Sequence, residues 1–390
     1  MRTVGSAEIQ GIVRHFEGLE DPRSQVNRRH LLADIIVISI LGVLAGADGP
    51  LAIARWANAQ EPWLKRHLRL PNGIPSRDTI GRILQSLKPS AFQQCFAAWL
   101  TSLHESQVVA KDDAAGEPTR QIALDGKCLR RSHAHGRGLG AMYLVNAWAT
   151  ADGIALGQLA VEEKSNEITA IPQLLDQLDL TGAVVTIDAA GCQRNIADEI
   201  VAGGGDYMLA LKGNQETLHR DVTVLFAKLL EEDFGDVPVS RYEEREHGHG
   251  RTEERHYYQI SVPADFPQRA KWTGLKTFGL AIRRCIVGGK ETTEHRYYIS
   301  SLSRHGRRFA RCVRGHWSIE NSLHWVLDMT FREDESRVRQ RRLADNLGWL
   351  RRLALTLLKQ HPGKDSIAMK RRLAGWSVDF LMQVLMGKTT

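Results

Sequence analysis

Residues 183–214, AVVTIDAAGCQRNIADEIVAGGGDYMLALKGN, decide the fold. Ala183–Ile187 is a short β-branched run that stops at Asp188-Ala189-Ala190-Gly191. Cys192–Val201 carries apolar residues at helical spacing, and Tyr207–Leu211 is a second apolar run closing on Lys212-Gly213-Asn214. The period therefore switches from strand to helix to strand within one stretch. Working backwards, Ile168–Leu178 is helical, and Gln121–Leu124 is an apolar strand ending at Asp125-Gly126. Met142–Ala149 and Ile154–Val161 flank the turn Ala151-Asp152-Gly153, a hairpin signal.

The order strand, strand, strand, helix, strand, helix, strand predicts an α/β sheet that opens with a hairpin. This is the element order of a ribonuclease-H-like domain. Upstream, residues 1–110 read as an all-α domain. Ile9–Phe16, Leu31–Ala45, Leu51–Trp56 and Ser76–Leu87 have apolar positions three and four apart, and Ser76 is a plausible N-cap. Arg77 and Arg82 on that last helix could meet DNA, though an ordinary surface helix explains them as well. The polar residues 111–119 read as a linker, and 120–335 as the α/β domain. Within it, Tyr257–Val262, Thr277–Ile286 and Arg296–Ser301 predict strands of a β-rich insertion at about 240–302. The chain is helical from about Arg304, with a basic C-terminal region over 336–390.

The chain has 390 residues, 43% hydrophobic and 25% charged, which excludes wholesale disorder and leaves room for two or three domains. Its five cysteines stand singly, with no Cys-x-x-Cys pair, so neither a disulfide framework nor a cysteine zinc site is expected. The longest apolar run, Leu31–Ala47, contains Asp34 and falls short of the roughly 20 residues a bilayer span needs, so a buried helix is expected and no membrane partner. With no secretory signal visible at the N-terminus, a cytoplasmic setting is expected. Residues 301–390 hold 18 Lys+Arg against 8 Asp+Glu, a net +10, while the other 300 residues hold 34 against 37. A basic block on a slightly acidic body points to a polyanion, or else to a solvated helical face.

In an α/β sheet, ligands sit beyond the carboxyl ends of strands. Asp125 and Asp188 each follow directly on an apolar strand and precede a Gly within three residues. Asp in that position is also a common turn former. A third acid lies in the helical stretch from Arg314 to Asp328, where Ile319, Leu323, Val326 and Thr330 make a mainly apolar stripe. On another face His316, Glu320, His324 and Asp328 recur every four residues, a row that would also suit zinc or a solvated surface. Three carboxylates from separate elements suit Mg²⁺ or Mn²⁺ and two-metal phosphodiester chemistry.

With these residues in place, the sequence resembles the DDE transposases of bacterial insertion sequences, in particular the H-repeat-associated or ISAs-one group. The matching strings are Asp21-Pro22-Arg23, Pro71-Asn72-Gly73-Ile74-Pro75-Ser76, Ala123-Leu124-Asp125-Gly126-Lys127, Glu163 through Pro172, Thr186-Ile187-Asp188-Ala189, Leu211-Lys212-Gly213-Asn214-Gln215, and His316 through Asn321 with Leu327-Asp328. They run from about residue 15 to 385. The resemblance implies a metal-dependent transposase whose triad is Asp125, Asp188 and Glu320, cleaving element ends and joining them to target DNA. Relatives often carry Tyr-x2-Arg-x3-Glu-x6-Lys, and here those positions are Val313, His316, Glu320 and Leu327. His316 can stand in for the phosphate-gripping Arg, whereas Leu327 cannot replace a Lys.

The expected partner is double-stranded DNA, engaged as a homodimer through Lys127, Lys212, Arg314, His316, Arg337, Arg339, Arg341 and Arg342. Trp317 and Trp325 read as core residues, with base stacking the other option. The pairs His133/His135 and His247/His249 read as surface histidines. Two competing readings are an inactive DNA-binding remnant and a ribonuclease-H-like repair nuclease. The intact acids argue against the first, and the N-terminal helical match against the second.

Overall fold

The computed structural model describes residues 4–105, 120–133, 140–161, 167–248 and 250–386; the linker expected at 111–119, and with it His135 and His249, lies outside them. Helices α1 (Val4–Glu17), α2 (Leu32–Leu44), α3 (Pro50–Ala59), α4 (Glu61–Leu64), α5 (Arg77–Ser86) and α6 (Pro89–Glu105) come first. An apolar sequence on every side makes α2 a core helix, buried from Ile35 to Leu44. Ser76 caps α5, its Oγ accepting the Thr79 N–H at 3.2 Å. The inward face of α5 is Ile80, Ile83 and Leu84, and Arg82 turns back to donate to the Asp78 carbonyl.

The strands are β1 (Gln121–Leu129), β2 (Met142–Ala149) and β3 (Ile154–Val161), then β4 (Val184–Ile187) and β5 (Asp206–Leu211), separated by α7 (Glu167–Leu175) and α8 (Arg194–Ala202). After α9 (Glu216–Glu231) come β6 (Val239–Gly248), β7 (Arg251–Ser261), β8 (Thr277–Val287) and β9 (Lys290–Ser300). All nine belong to one mixed sheet, ordered β3-β2-β1-β4-β5-β9-β8-β7-β6. β1 runs antiparallel to β2 and parallel to β4, and β4 parallel to β5. The expected insertion does not interrupt the sheet. It extends it, because β9 pairs antiparallel with β5 from Met208↔Ser300 to Leu211↔Tyr297. It also holds four strands where the apolar pattern predicts three.

Alternation along β1 divides the molecule. Ile122 and Leu124 point into the core made with α7, α8 and α9. On the opposite face Gln121 and Lys127 point toward a helix that runs unbroken from α10 (Gly306–Ile319) through a π-turn (Glu320–His324) into α11 (Trp325–Met329). Helices α12 (Arg341–Gln360), α13 (Ile367–Trp376) and α14 (Val378–Met386) follow, and they share one continuous apolar core with α1–α6. The N-terminal and C-terminal helices thus close over the same side of the sheet.

That arrangement corrects the picture of a solvated basic C-terminal region. Arg351, Arg352, Lys370 and Arg371 are all buried. Arg371 donates to the carbonyls of Val43 and Thr330, and Lys370 Nζ to those of Leu358 and His361. The surface charge that could meet a polyanion is correspondingly smaller than +10. No helix among the described residues is long and apolar enough to cross a membrane, and all five cysteines are free thiols.

Candidate active site

The register of the parallel pair β1/β4 ends at Leu124↔Ile187, so Asp125 and Asp188 are the next residues on two neighbouring strands, whose backbones lie about 5 Å apart. Asp188 is where β4 stops. Its Oδ1 accepts the N–H groups of Ala190 at 3.0 Å and Gly191 at 3.3 Å, so the acid shapes its own turn. Asp125 Oδ1 accepts the N–H of Gly126 at 2.9 Å. A Cβ at Gly126 would collide with the carboxylate of Glu167, at the start of α7, which identifies Glu167 as a fourth acid beside the cluster.

Helix α10 is fastened across these strand ends. Gln121 Nε2 donates to the Cys312 carbonyl at 2.8 Å and to Thr186 Oγ1 at 3.1 Å, and His316 Nδ1 lies 3.2 Å from the same hydroxyl. Gly315 permits this approach, since a Cβ there would overlap the Gln121 amide. One turn beyond His316, the helix widens into the π-turn that begins at Glu320, a feature that recurs at functional sites. Ile319, Leu323, Val326 and Leu327 anchor it from below, and Glu320 itself is exposed.

Electrostatically the acids form one group. Burial pushes the Asp125 carboxyl up to about 7, and the charges of Asp188, Glu320 and Glu167 push in the same direction. The ring of His324, at the end of the π-turn, is pushed down to about 3 by burial and by the charges of Arg352 and Lys127. Its Nδ1 lies 3.5 Å from Asp125 Oδ2. Behind it stands a buried ionic layer. Arg352 reaches Glu333 at 2.9 Å and Asn146 Oδ1 at 2.5 Å, while Lys127 Nζ reaches Asp328 at 2.6 Å and Asp334 at 3.4 Å.

Some expected contacts are redistributed. Lys127 is buried and committed to Asp328 and Asp334, so it builds the site's floor and is withdrawn as a DNA contact. His316 is tucked against Thr186, and burial lowers its pKa. Lys212, Arg314, Arg337, Arg339 and Arg342 are exposed, with Arg314 paired to Glu246 at 2.8 Å, while Arg341 donates to the Gly140 carbonyl. Trp317 and Trp325 are surface residues, 41% and 61% exposed, contrary to the core reading. The apolar stripe of their helix is already filled by Ile319, Leu323 and Val326, which turns both indoles outward. Trp317 stacks under the Arg296 guanidinium at 4.1 Å, at a cavity of about 560 Å³ whose lining includes Arg251, Arg283, Arg314 and Asn321.

The described residues hold no ready-made set of three His, Cys, Asp or Glu side chains around a single metal position. The acids nevertheless suit a hard divalent cation. They are all-oxygen donors, and the repulsion that adds to burial in raising Asp125 is what a cation would relieve. A pH dependence follows. The folded state holds a proton on Asp125 up to about pH 7, whereas the unfolded chain releases it near the ordinary 3.8. Between those values unfolding releases the proton, so this group makes the metal-free protein less stable as pH rises, by up to about 1.4 kcal/mol per pH unit. In chelator, Asp125→Asn is expected to abolish that loss and to surpass wild type in urea midpoint at pH 7.5 but not at pH 4. Parallel pH profiles for the two proteins would refute the raised carboxyl.

Asp125 and Asp188 thus stand at neighbouring strand ends, crossed by the helix that carries Glu320. The chain matches the family described as "Transposase DDE domain" over residues 116–357 and that described as "DDE_Tnp_1-associated" over residues 13–100. It belongs to the DDE transposase family. It is 36% identical over 382 residues to "Putative transposase YncI" of Escherichia coli O157:H7, covering 97% of this chain and 95% of the relative. It is 34% identical over 386 residues to "H repeat-associated putative transposase YhhI" of E. coli K12, covering 97% and 99%. Among solved structures, a piggyBac transposase synaptic complex with hairpin DNA covers 96% of this chain and 78% of its own, at 9% identity and a TM-score of 0.38, a likeness too slight to argue from.

Proposed function

We propose that this protein cleaves the ends of its own insertion element and joins them to target DNA, working from a ribonuclease-H-like sheet with Asp125, Asp188 and Glu320 as the catalytic and metal-binding acids. The observation that carries the reading is the coupling at Asp125: a strand carboxyl raised to about 7 by burial and by two acids from other elements. Mg²⁺ or Mn²⁺, when bound, supplies activation of a water or 3′-hydroxyl and stabilisation of the departing oxygen. The protein's part is orientation. Gly126 N–H fixes one oxygen of Asp125, the Ala190 and Gly191 N–H groups fix one of Asp188, and the packed stripe under the π-turn fixes the backbone of Glu320. The family match over residues 13–100 favours a transposase over a stand-alone nuclease of the same fold.

DNA would lie against the exposed cations Lys212, Arg314, Arg337, Arg339 and Arg342, close to the helix that carries Glu320, with two copies of the chain bridging two element ends. The test is a duplex carrying the terminal inverted repeat from the gene's own flanks, assayed for Mg²⁺-dependent nicking beside a binding titration over several salt concentrations. Neutralising Arg337, Arg339, Arg341 and Arg342 together should reduce the log-log salt slope by about 0.9 for each phosphate that these side chains neutralise in the wild-type complex. An unchanged slope would put the DNA elsewhere, and end binding without nicking in Mg²⁺ or Mn²⁺ would favour the inactive remnant.

A further inference from the structure

The triad accounts for Asp125, Asp188 and Glu320 but not for the histidine beside Asp125. The strand register explains how its surroundings arise. Asp125 pairs directly with Asn146 across β1 and β2, so the two side chains stand side by side on the same face of the sheet. Asn146 is almost wholly buried, and so is Arg352, which reaches in from α12.

The proton positions in this layer are set by donor and acceptor chemistry. A guanidinium can only donate, so the Asn146 atom 2.5 Å from Arg352 Nε is the amide oxygen. The amide nitrogen, which can only donate, gives one proton to the Leu144 carbonyl at 3.0 Å and turns the other toward His324 Nε2 at 3.3 Å, with the Asp125 carbonyl at 3.5 Å. Nε2 must therefore offer its lone pair. A ring whose Nε2 accepts carries its proton on Nδ1, the nitrogen 3.5 Å from Asp125 Oδ2. Glu333 holds the far end of the chain by accepting from Arg352 at 2.9 Å. The relay runs Glu333, Arg352, Asn146, His324, Asp125, hydrogen-bonded as far as the histidine and closing on Asp125 by the 3.5 Å approach.

We propose that His324 is a positioning residue whose Nδ1–H, held on that nitrogen by Asn146 and Arg352, orients the Asp125 carboxylate for binding a divalent cation. This rests on the reading of Asp125, Asp188 and Glu320 as a metal centre. The oxygen Oδ1 is held by the Gly126 N–H at 2.9 Å, and the ring nitrogen stands 3.5 Å from Oδ2, beyond ordinary hydrogen-bond length but near enough to draw that oxygen electrostatically. Groups that orient a metal-binding carboxylate in this way typically contribute 10- to 100-fold in metal affinity.

The relay makes two demands that a merely space-filling histidine would not. The first is spectroscopic: in full-length wild-type protein labelled with ¹⁵N-histidine, the His324 signals, identified by their loss in His324→Asn, should be those of the Nδ1–H tautomer. The second concerns metal binding, measured by calorimetry with MnCl₂ on the DNA-free protein. His324→Leu, which fills the space without a donor, should weaken Mn²⁺ binding 10- to 100-fold. His324→Asn, whose amide N–H can stand near the Nδ1 position, should restore most of it.

An Nε2–H tautomer overturns the proposal, as does His324→Leu binding Mn²⁺ like wild type while Asp125→Asn does not. Equal losses in the Leu and Asn variants would make the ring nitrogen a ligand and also overturn it. Should wild type fail to bind Mn²⁺, or Asp125→Asn bind it undiminished, the metal-centre reading itself would fall, a result distinct from the others.

Discussion

Asp188→Asn is expected to reduce strand cleavage by orders of magnitude while leaving affinity for the element end intact or slightly improved. The substitution keeps the size of the side chain and the oxygen that accepts from Ala190 and Gly191, so the turn after β4 should survive. What disappears is the negative charge that would offset divalent cations beside Asp125, and a neutral amide is a poor ligand for a hard cation. Binding should not suffer, because phosphate contacts come from Arg and Lys side chains elsewhere and removing an acid lessens repulsion of the DNA. The measurement is nicking of the terminal-repeat duplex in Mg²⁺ beside a binding titration at one salt concentration. Equal cutting by both proteins would put the chemistry outside this triad.

Glu333→Ala is expected to be among the most destabilising single changes outside the apolar core. Glu333 is fully buried between Arg351 and Arg352, both buried themselves. Burial alone would push its carboxyl up, yet the two guanidinium charges hold it below its ordinary value. Removing it leaves two like charges inside the protein with their counter-ion gone, a change that typically costs about 3–5 kcal/mol. The same residue ties α12 to the segment after α11 and ends the relay that reaches His324. Urea unfolding of the metal-free protein at pH 7 measures the effect, and a loss below about 1 kcal/mol would mean that the pair is solvated and the layer is not a buried ionic network.

Much of the strand framework was legible because buried strands are written as short apolar runs. Met142–Ala149, Ile154–Val161 and Tyr207–Leu211 lie within a residue of the observed strands. β6 was not legible, since Val239–Gly248 is a sheet-edge strand with charged side chains throughout, and edges are kept polar to prevent pairing. Helical spacing also marks α9, where Leu218, Val222, Phe226 and Leu229 all face the core. Asp125, Asp188 and Glu320 stand out by their places at strand ends and on a packed helix, and the charges of the latter two add to burial in raising Asp125. Glu167, Asn146 and His324 were out of reach as partners of Asp125. Asn146 enters only through the β1/β2 register, and Glu167 only through the space left by Gly126. Nor does periodicity reveal that Arg351 and Arg352, inside the run Leu347–Leu358, point inward to Glu333.

Three acids, from β1, the end of β4 and the π-turn, are expected to share divalent metal. Crystals of the full chain soaked in MnCl₂, with anomalous diffraction collected near the manganese edge, decide whether they do. The expected result is an anomalous peak within bonding distance of Asp125 and Asp188 carboxylate oxygens, with Glu320 at the same centre, and loss of that peak in Asp125→Asn. Manganese bound elsewhere, or a peak that persists unchanged in Asp125→Asn, would contradict it.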